Sequence, residues 1–312
     1  MKFFKRFVIS FTVFSMVIAN AGFGAAATAQ TVSENAAAND TMMETEVAVE
    51  GSVWTPLETT ARTEQAKVNY DLLFGDLTST MNVDNPEYVD SINNFIYGDI
   101  FNQSDLLDFK QKEMIALVSL TTNRSYELLK LHAVGAVKAG LTPEEVMEAV
   151  YHCTPYVGIA TTYEAVYAVT EAFKENEIEM PLTPQTIIED DMRYTAGNEA
   201  QAAVFGAFMR RDKDTVQDDI SVYVTEWCFG DFYTRGTIDL ETREMLTMCI
   251  LANTGADQLR AHVFGTRNVG FSQEAIMAAI TQCMPYMWTP LTLSAVSVVN
   301  DVFAPEDSEA QE

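Results

Sequence analysis

Apolar side chains recur at spacings of three and four through much of the chain. Met114, Leu117, Val118 and Leu120 form one such set, and Leu128, Leu131, Val134 and Val137 form the next. That period gathers apolar positions on one face of a helix, so the spacing predicts amphipathic helices near 105–121, 124–139, 143–154 and 160–175. Punctuation agrees. Gly140 suits the left-handed position after a helix, and Thr142-Pro143-Glu144-Glu145 supplies an N-cap, a first-turn proline and a capping-box glutamate. Gly270, Ser272 and Glu274 repeat part of that grammar. No stretch alternates apolar and polar residues as a half-buried strand does, so the expected fold class is all-α.

The same patterns occur twice. Gly98-Asp99-Ile100-Phe101 matches Gly230-Asp231-Phe232-Tyr233, and Lys112-Glu113-Met114 matches Arg243-Glu244-Met245. From there the register is 130 residues: His132 falls on His262, Gly140 on Gly270, Cys153 on Cys283, Pro155-Tyr156 on Pro285-Tyr286, and Phe173 on Phe303. A self-match of this length indicates two tandem copies of one helical unit. They are placed at 55–178 and 185–304, joined through Glu179-Met180-Pro181-Leu182-Thr183-Pro184.

The amino terminus belongs to neither copy. Lys2, Lys5 and Arg6 precede an apolar run from Phe7 to about Ala21, and Ala27-Thr28-Ala29 forms an A-x-A site before Gln30. This is the pattern of a secretory signal peptide, with cleavage expected after Ala29; an uncleaved membrane anchor is the alternative, disfavoured by the short run. No cysteine stands near the site, which argues against a lipid anchor. Residues 30–54, rich in Ala, Thr, Glu and Asn without an apolar period, read as a flexible linker. No other stretch approaches the apolar length of a membrane span, so the mature protein is expected to be periplasmic or secreted.

Charge then restricts the partners. The 312 residues carry 45 Asp and Glu against 19 Lys and Arg, a formal net charge of −26. The leader holds three basic and no acidic residues, so the mature chain stands at 16 − 45 = −29. A nucleic-acid partner is not expected, because phosphate binding needs a basic footprint, and an anionic membrane surface is repelled likewise. An anionic substrate must find a local basic exception, for which Lys130, Arg260 and Arg267 are the candidates. Four cysteines are too few for a disulfide scaffold, and the absence of C-x-x-C removes a zinc ribbon and a thioredoxin-type pair. One bridge, for example Cys228 to Cys249, stays open.

The chain has three histidines, and two of them, His132 and His262, share one repeat position. Retention of the same imidazole in both copies of a histidine-poor chain singles them out; His152 has no such counterpart. The acids five residues earlier, Glu127 and Asp257, suit a helix start, because residues five apart do not share a helix face. Glu113 and Glu244 are better partners. Each opens the preceding apolar helix, and antiparallel packing of consecutive helices would bring it to the imidazole. A carboxylate beside an imidazole in a partly apolar cleft makes a proton-transfer pair near neutrality. Tyr156 and Tyr286, each after a proline that ends a helix, are the third repeated polar element and candidate substrate contacts.

Together these residues carry a resemblance. The run Tyr126-Glu127-Leu128-Leu129-Lys130-Leu131-His132, then Ala136, Gly140-Leu141-Thr142-Pro143-Glu144-Glu145-Val146 and Tyr156-Val157-Gly158, resembles the carboxymuconolactone decarboxylase family, within the alkyl hydroperoxidase D-like superfamily. The second half resembles it through Arg243-Glu244, Asp257-Gln258-Leu259-Arg260-Ala261-His262, Gly270-Phe271-Ser272 and Tyr286. The resemblance implies an all-helical unit assembling into homo-oligomers, with His132 and His262 as the family histidines and Glu113 and Glu244 as its glutamates. The peroxidase branch places a Cys-x-x-Cys seven and four residues before that histidine. Here Ser125 and Leu128, and Gly255 and Gln258, stand at those places, so thiol-dependent peroxide reduction lacks its nucleophile and resolving thiol. Cys153 and Cys283 sit on core faces with Val146, Val150, Ile276 and Ile280 and read as buried structural thiols. Trp288 stands where the first half has Gly158, while Pro290 restores a family-like proline absent at Ala160. That tryptophan is expected to fill a pocket and, with Arg260, to complete the candidate substrate contacts.

The expectation is an exported, cofactor-free and metal-free enzyme of the decarboxylase-like branch, acting on a small organic acid, lactone or related carbonyl compound. Loss of carbon dioxide or ring rearrangement leaves an enolate-like anion that needs stabilisation and then a proton. His132 or His262 transfers it, and Glu113 or Glu244 orients the ring. A thiol-dependent peroxidase and a non-catalytic binding module are the alternatives, and which half works is left open.

Overall fold

A computed structural model describes residues 59–305 apart from 76 and 78. The expected leader, the linker and the first residues of the first copy, 55–58, lie outside the described residues.

In the first half, α1 (Ala61–Leu73), α2 (Thr80–Asp84) and α3 (Pro86–Asn93) lead into a π-helical stretch, Asn94–Ile100. Then follow α4 (Phe109–Thr122), α5 (Tyr126–Lys138), α6 (Pro143–His152), the single turn α7 (Thr154–Val157) and α8 (Ile159–Glu175). The second half repeats the order with α9 (Arg193–Phe205), the short α10 (Asp219–Tyr223) and a π-helical Val224–Tyr233. It closes with α11 (Leu240–Thr254), α12 (Leu259–Asn268), α13 (Gln273–Cys283) and α14 (Thr289–Phe303). The fold is all-α: no strand occurs among the described residues. Nor is any described helix long and apolar enough to cross a membrane.

Helix ends fall where local chemistry puts them. Asp108 and Asp239 cap α4 and α11, and Thr142 and Glu145 form the capping box of α6. The Gly98-Asp99 and Gly230-Asp231 repeat marks a close crossing. A Cβ at Gly98 would lie 2.8 Å from the Arg62 carbonyl oxygen of α1, and one at Gly230 would lie 2.5 Å from that of Arg193 in α9. The following aspartates tie each crossing with an ion pair, Asp99 to Arg62 and Asp231 to Arg193. At 288 the second half avoids the need for glycine: Gly158 takes φ 84°, whereas Trp288 takes an ordinary φ of −70°.

α4 and α11 are buried around almost their whole circumference and pack on each other at the centre of the molecule. Asn123, which caps α4, donates from Nδ2 to Asn253 Oδ1 at 2.8 Å and to the Tyr286 carbonyl oxygen at 2.8 Å. Asn253 in turn donates to Ser119 Oγ at 3.1 Å. Side chains of both halves enter one continuous apolar core, so the two repeats form one compact unit. A second lock is ionic. Glu148 of α6 is buried and accepts from Arg235 at 2.7 Å and from Arg243 of α11 at 3.0 Å. Burying Glu148 and Arg243 is tolerated only because each is paired and hydrogen-bonded, with the partly exposed Arg235 as a third member.

Candidate functional site

The consecutive helices α4 and α5 bring Glu113 to His132, with Oε2 3.1 Å from the ring Nδ1. The matching pair, α11 and α12, brings Glu244 Oε1 to 2.8 Å from His262 Nδ1. Both carboxyl groups are buried. An ionised carboxylate has no proton to give, so each ring donates Nδ1–H to its glutamate and turns Nε2 away from it. A phenylalanine from the first helix of each half stands edge-on to the ring: Phe74 to His132 and Phe205 to His262, both at 5.3 Å between centroids.

The repeated tyrosines do not join the histidine of their own half. Tyr286 packs edge-on against His132 at 5.7 Å, and Tyr156 lies edge-on to His262 at 6.3 Å. Each pair is therefore completed by a residue of the other half.

Beyond these shared parts the sites diverge. In the first, Tyr97 of the π-helical stretch is hydrogen-bonded to Tyr286, and its hydroxyl lies 3.5 Å from His132 Nε2. Lys112, Phe101 and Gln282 close the remaining space to a cavity of about 10 Å³, the room of roughly one water. In the second, Tyr233 donates to Glu244 Oε2 at 2.6 Å and lies 2.6 Å from the Thr247 hydroxyl. Tyr156 bonds Thr247 at 3.1 Å and Tyr233 at 3.3 Å, and Cys228 donates its thiol proton to the Tyr156 oxygen at 3.2 Å. His152 completes the cluster. Its Nε2 donates to the Arg243 carbonyl oxygen at 2.9 Å and lies 2.9 Å from Thr247, while Nδ1 faces the Arg243 guanidinium.

Electrostatics keep these groups in one protonation state. Burial, reinforced by nearby anions or phenols, raises the hydroxyl pKa of Tyr97, Tyr233 and Tyr286 well above the ordinary phenol range, and burial with the Cys228 thiol does so for Tyr156. They remain donors. Burial, with Arg243 adding to it, holds His152 well below the usual imidazole range, so it stays neutral. Burial also pushes the Cys228 thiol up to about 12.

Access separates the sites further. The His132 side chain is 3% exposed and that of His262 is 11%. His262 Nε2 has no hydrogen-bond partner among the described residues and is not among the fully buried unsatisfied atoms. Phe205 and Ala261, the chain neighbour of His262, line a cleft of about 1130 Å³ together with Phe264, Arg260 and Arg267. In the first half Leu131 stands in place of Ala261 and packs on the cluster of Phe74 and Tyr97.

The other sequence candidates are scattered. Arg260 is exposed on the cleft rim, its guanidinium 3.9 Å from Asp301. Arg267 stacks on Phe264 and Phe303 and donates to the Val302 carbonyl oxygen. Lys130 pairs with Glu127 on the surface. The expectation that Trp288 fills a pocket is corrected: it is 76% exposed, because the chain before α14 turns its side chain outward. All four cysteines are free and buried, so the open Cys228 to Cys249 bridge is not formed. Cys249 instead contacts Cys283. Sequence reasoning did not place Tyr97, Tyr233 or Thr247 at a site, because their repeat positions hold Phe229, Phe101 and Ala116, and it weighed Cys228 only as a thiol; the available signal was Tyr233 standing opposite Phe101 in the Gly-Asp repeat.

The sequence profile of the carboxymuconolactone decarboxylase family matches residues 86–172 and 219–301. The chain is 24% identical over 106 residues to a 4-carboxymuconolactone decarboxylase of Acinetobacter baylyi, a match covering 34% of this chain and 75% of that protein. A solved structure described as a gamma-carboxymuconolactone decarboxylase subunit from Burkholderia xenovorans aligns with a TM-score of 0.47 at 18% identity, covering 77% of this chain and 97% of that one.

Proposed function

The chain belongs to the carboxymuconolactone decarboxylase family, whose profile spans more than half of it, and from that premise we propose that it is a His/Glu acid–base enzyme working from its second-half site. Its relatives support a decarboxylase-like function at the family level. The observation that carries the finer reading is the state of His262. Glu244 holds its Nδ1, while Nε2 has no partner among the described residues, and Phe205, edge-on to the ring, lines an open cleft. That is the arrangement of a positioned general acid–base, oriented on one nitrogen and free on the other.

The substrate is a small organic acid, lactone or related carbonyl compound entering by the cleft and reaching Nε2 past the edge of Phe205. In a ring rearrangement Nε2 takes a proton from the carbon beside the carbonyl, leaving the electron pair in an enolate, and later returns that proton. In a decarboxylation the imidazolium form acts: the bond to the carboxylate carbon breaks, its electron pair passes into the enolate, and Nε2–H protonates the new carbanion. Glu244 stabilises the imidazolium in both. The side chains carry these steps without a cofactor. The leader pattern places the enzyme outside the cytoplasm, and a homo-oligomeric assembly belongs to the same reading.

A panel of small lactones and keto acids, followed by ultraviolet loss and carbon dioxide release, tests this. His262→Gln is expected to lower kcat by about 100-fold or more, the usual worth of a general acid–base. His132→Gln is expected to change it by no more than a few-fold. Equal losses, or none, overturn the reading.

A further inference from the structure

The polar cluster around Glu244 has a direction. Glu244 can only accept, so the Tyr233 proton lies on the 2.6 Å bond to Oε2. The Tyr233 oxygen is then free to accept, and it receives the Tyr156 hydroxyl at 3.3 Å; the Thr247 hydroxyl lies 2.6 Å from Tyr233 and 3.1 Å from Tyr156, bracing both phenols. Cys228 fills the last place by donating to Tyr156 at 3.2 Å. The links Cys228 to Tyr156, Tyr156 to Tyr233 and Tyr233 to Oε2 all point the same way, and the chain leaves the second half at Cys228, passes through Tyr156 of the first and returns. It ends on the carboxylate that also accepts Nδ1–H of His262.

The first site cannot build this chain. Phe101 stands at the repeat position of Tyr233 and Ala116 at that of Thr247, and neither carries a hydroxyl. Its nearest phenol, Tyr97, approaches the imidazole at Nε2 and bonds Tyr286, leaving Glu113 without a phenol donor.

We propose that Tyr233, supported by Thr247 and by Tyr156 of the opposite half, is a positioning residue that pins the second oxygen of Glu244, so that the first locks His262 as the Nδ1–H tautomer with Nε2 free. A carboxylate held by two charge-assisted donors keeps one rotamer, whereas one held by a single donor can turn and release the imidazole. The catalytic meaning of this lock rests on the acid–base reading above; the lock itself does not.

With three histidines in the chain, the protein labelled with ¹⁵N-histidine reports each ring separately by NMR, and single His→Gln variants assign the signals. Wild-type His262 is expected to show Nδ1 protonated and Nε2 bare. Tyr233→Phe, which removes one hydroxyl, should change the Nδ1–H to Nε2–H ratio of His262 roughly tenfold, the worth of one hydrogen bond to a charged group. Thr247→Val should move it the same way by less, and Thr247→Ser, which keeps the hydroxyl, should restore the wild-type ratio. The His132 ratio should not move in any of them. A His262 ratio within twofold of wild type in both Tyr233→Phe and Thr247→Val, with the His132 signal and circular dichroism unchanged, overturns the proposal. If Tyr233→Phe does not fold, the Thr247→Val and Thr247→Ser pair decides. Turnover insensitive to His262→Gln would overturn the acid–base reading and leave the tautomer result standing; an unmoved tautomer with His262-dependent turnover would overturn only the lock.

Discussion

Glu113 and His132 meet in a closed corner of the first half, with Phe101, Ala116 and Leu131 around them, and Tyr97 takes the outer nitrogen of the ring. Glu244 and His262 meet at the matching place in the second half, where Tyr233, Thr247 and Ala261 stand instead. At least four substitutions separate the two arrangements, the fourth being Tyr97 against Phe229. A phenol backed by a hydroxyl gives the second carboxylate another donor, and Phe229 leaves the outer nitrogen of His262 without the phenol that Tyr97 brings to His132. The lesson is that conservation of an acid–base pair between two copies does not conserve its working state. The second sphere of hydrogen bonds and the space outside the ring decide that, and these are free to differ once a duplication supplies a spare copy.

The halves also differ in how they are held together, and the largest expected effect breaks that difference. Glu148 pairs with Arg235 and Arg243 in the interior, whereas its repeat position in the second half holds Ala278. Glu148→Gln should destabilise the protein by about 3–5 kcal/mol, since it leaves the buried Arg243 guanidinium without its counter-charge. Lys112→Met, at the position matching Arg243, should cost only about 1 kcal/mol, for the hydrogen bond its ammonium gives the Phe101 carbonyl. Urea unfolding of the two variants checks the contrast, and equal losses would remove it.

A smaller effect sharpens the comparison through pH. His152 is neutral and buried, and Gln282 is its match. Its folded pKa lies below its unfolded value of about 6.5, so below that pH the unfolded chain binds a proton that the folded chain does not. Stability therefore falls as pH drops from about 6.5 toward the folded pKa. His152→Gln, which copies the matching residue, should reduce the acid-side slope by up to about 1.4 kcal/mol per pH unit. Melting curves from pH 7 to 4.5 read the difference, and an unchanged slope would mean that His152 is protonated in the fold. The smallest effect is expected at Trp288. Its exposed ring should be replaceable by alanine within about 0.5 kcal/mol, with kcat unchanged.

Much of the helical frame was legible along the chain. The predicted helices near 105–121, 124–139, 143–154 and 160–175 correspond to α4, α5, α6 and α8, because three-four spacing and capping residues act within a few positions. The helix α1 and the π-helical segments were not individually foreseen. α1 buries Asn69 together with Ala66 and Leu73, so its inner face is partly polar and its period faint. The Gly-Asp repeat was visible as a match, but its cause, two backbones crossing too closely for a side chain, appears only when α1 and its π-helical partner are seen together.

By itself, then, the sequence determined the helical class, the duplication, and a histidine and glutamate on consecutive helices of each copy. Those follow from rules that operate within a turn, a connection or a repeat. Only the tertiary structure decided that Tyr156 serves the second site and Tyr286 the first, that Tyr233, braced by Thr247, holds one carboxylate while no phenol holds the other, and that one imidazole keeps a nitrogen with no partner among the described residues. The contacts responsible join residues far apart in the chain, 91 positions for Tyr156 and Thr247 and 163 for Asn123 and Tyr286. No periodicity encodes such pairs; they are set by α4 packing on α11, which turns two copies of one unit into a single core.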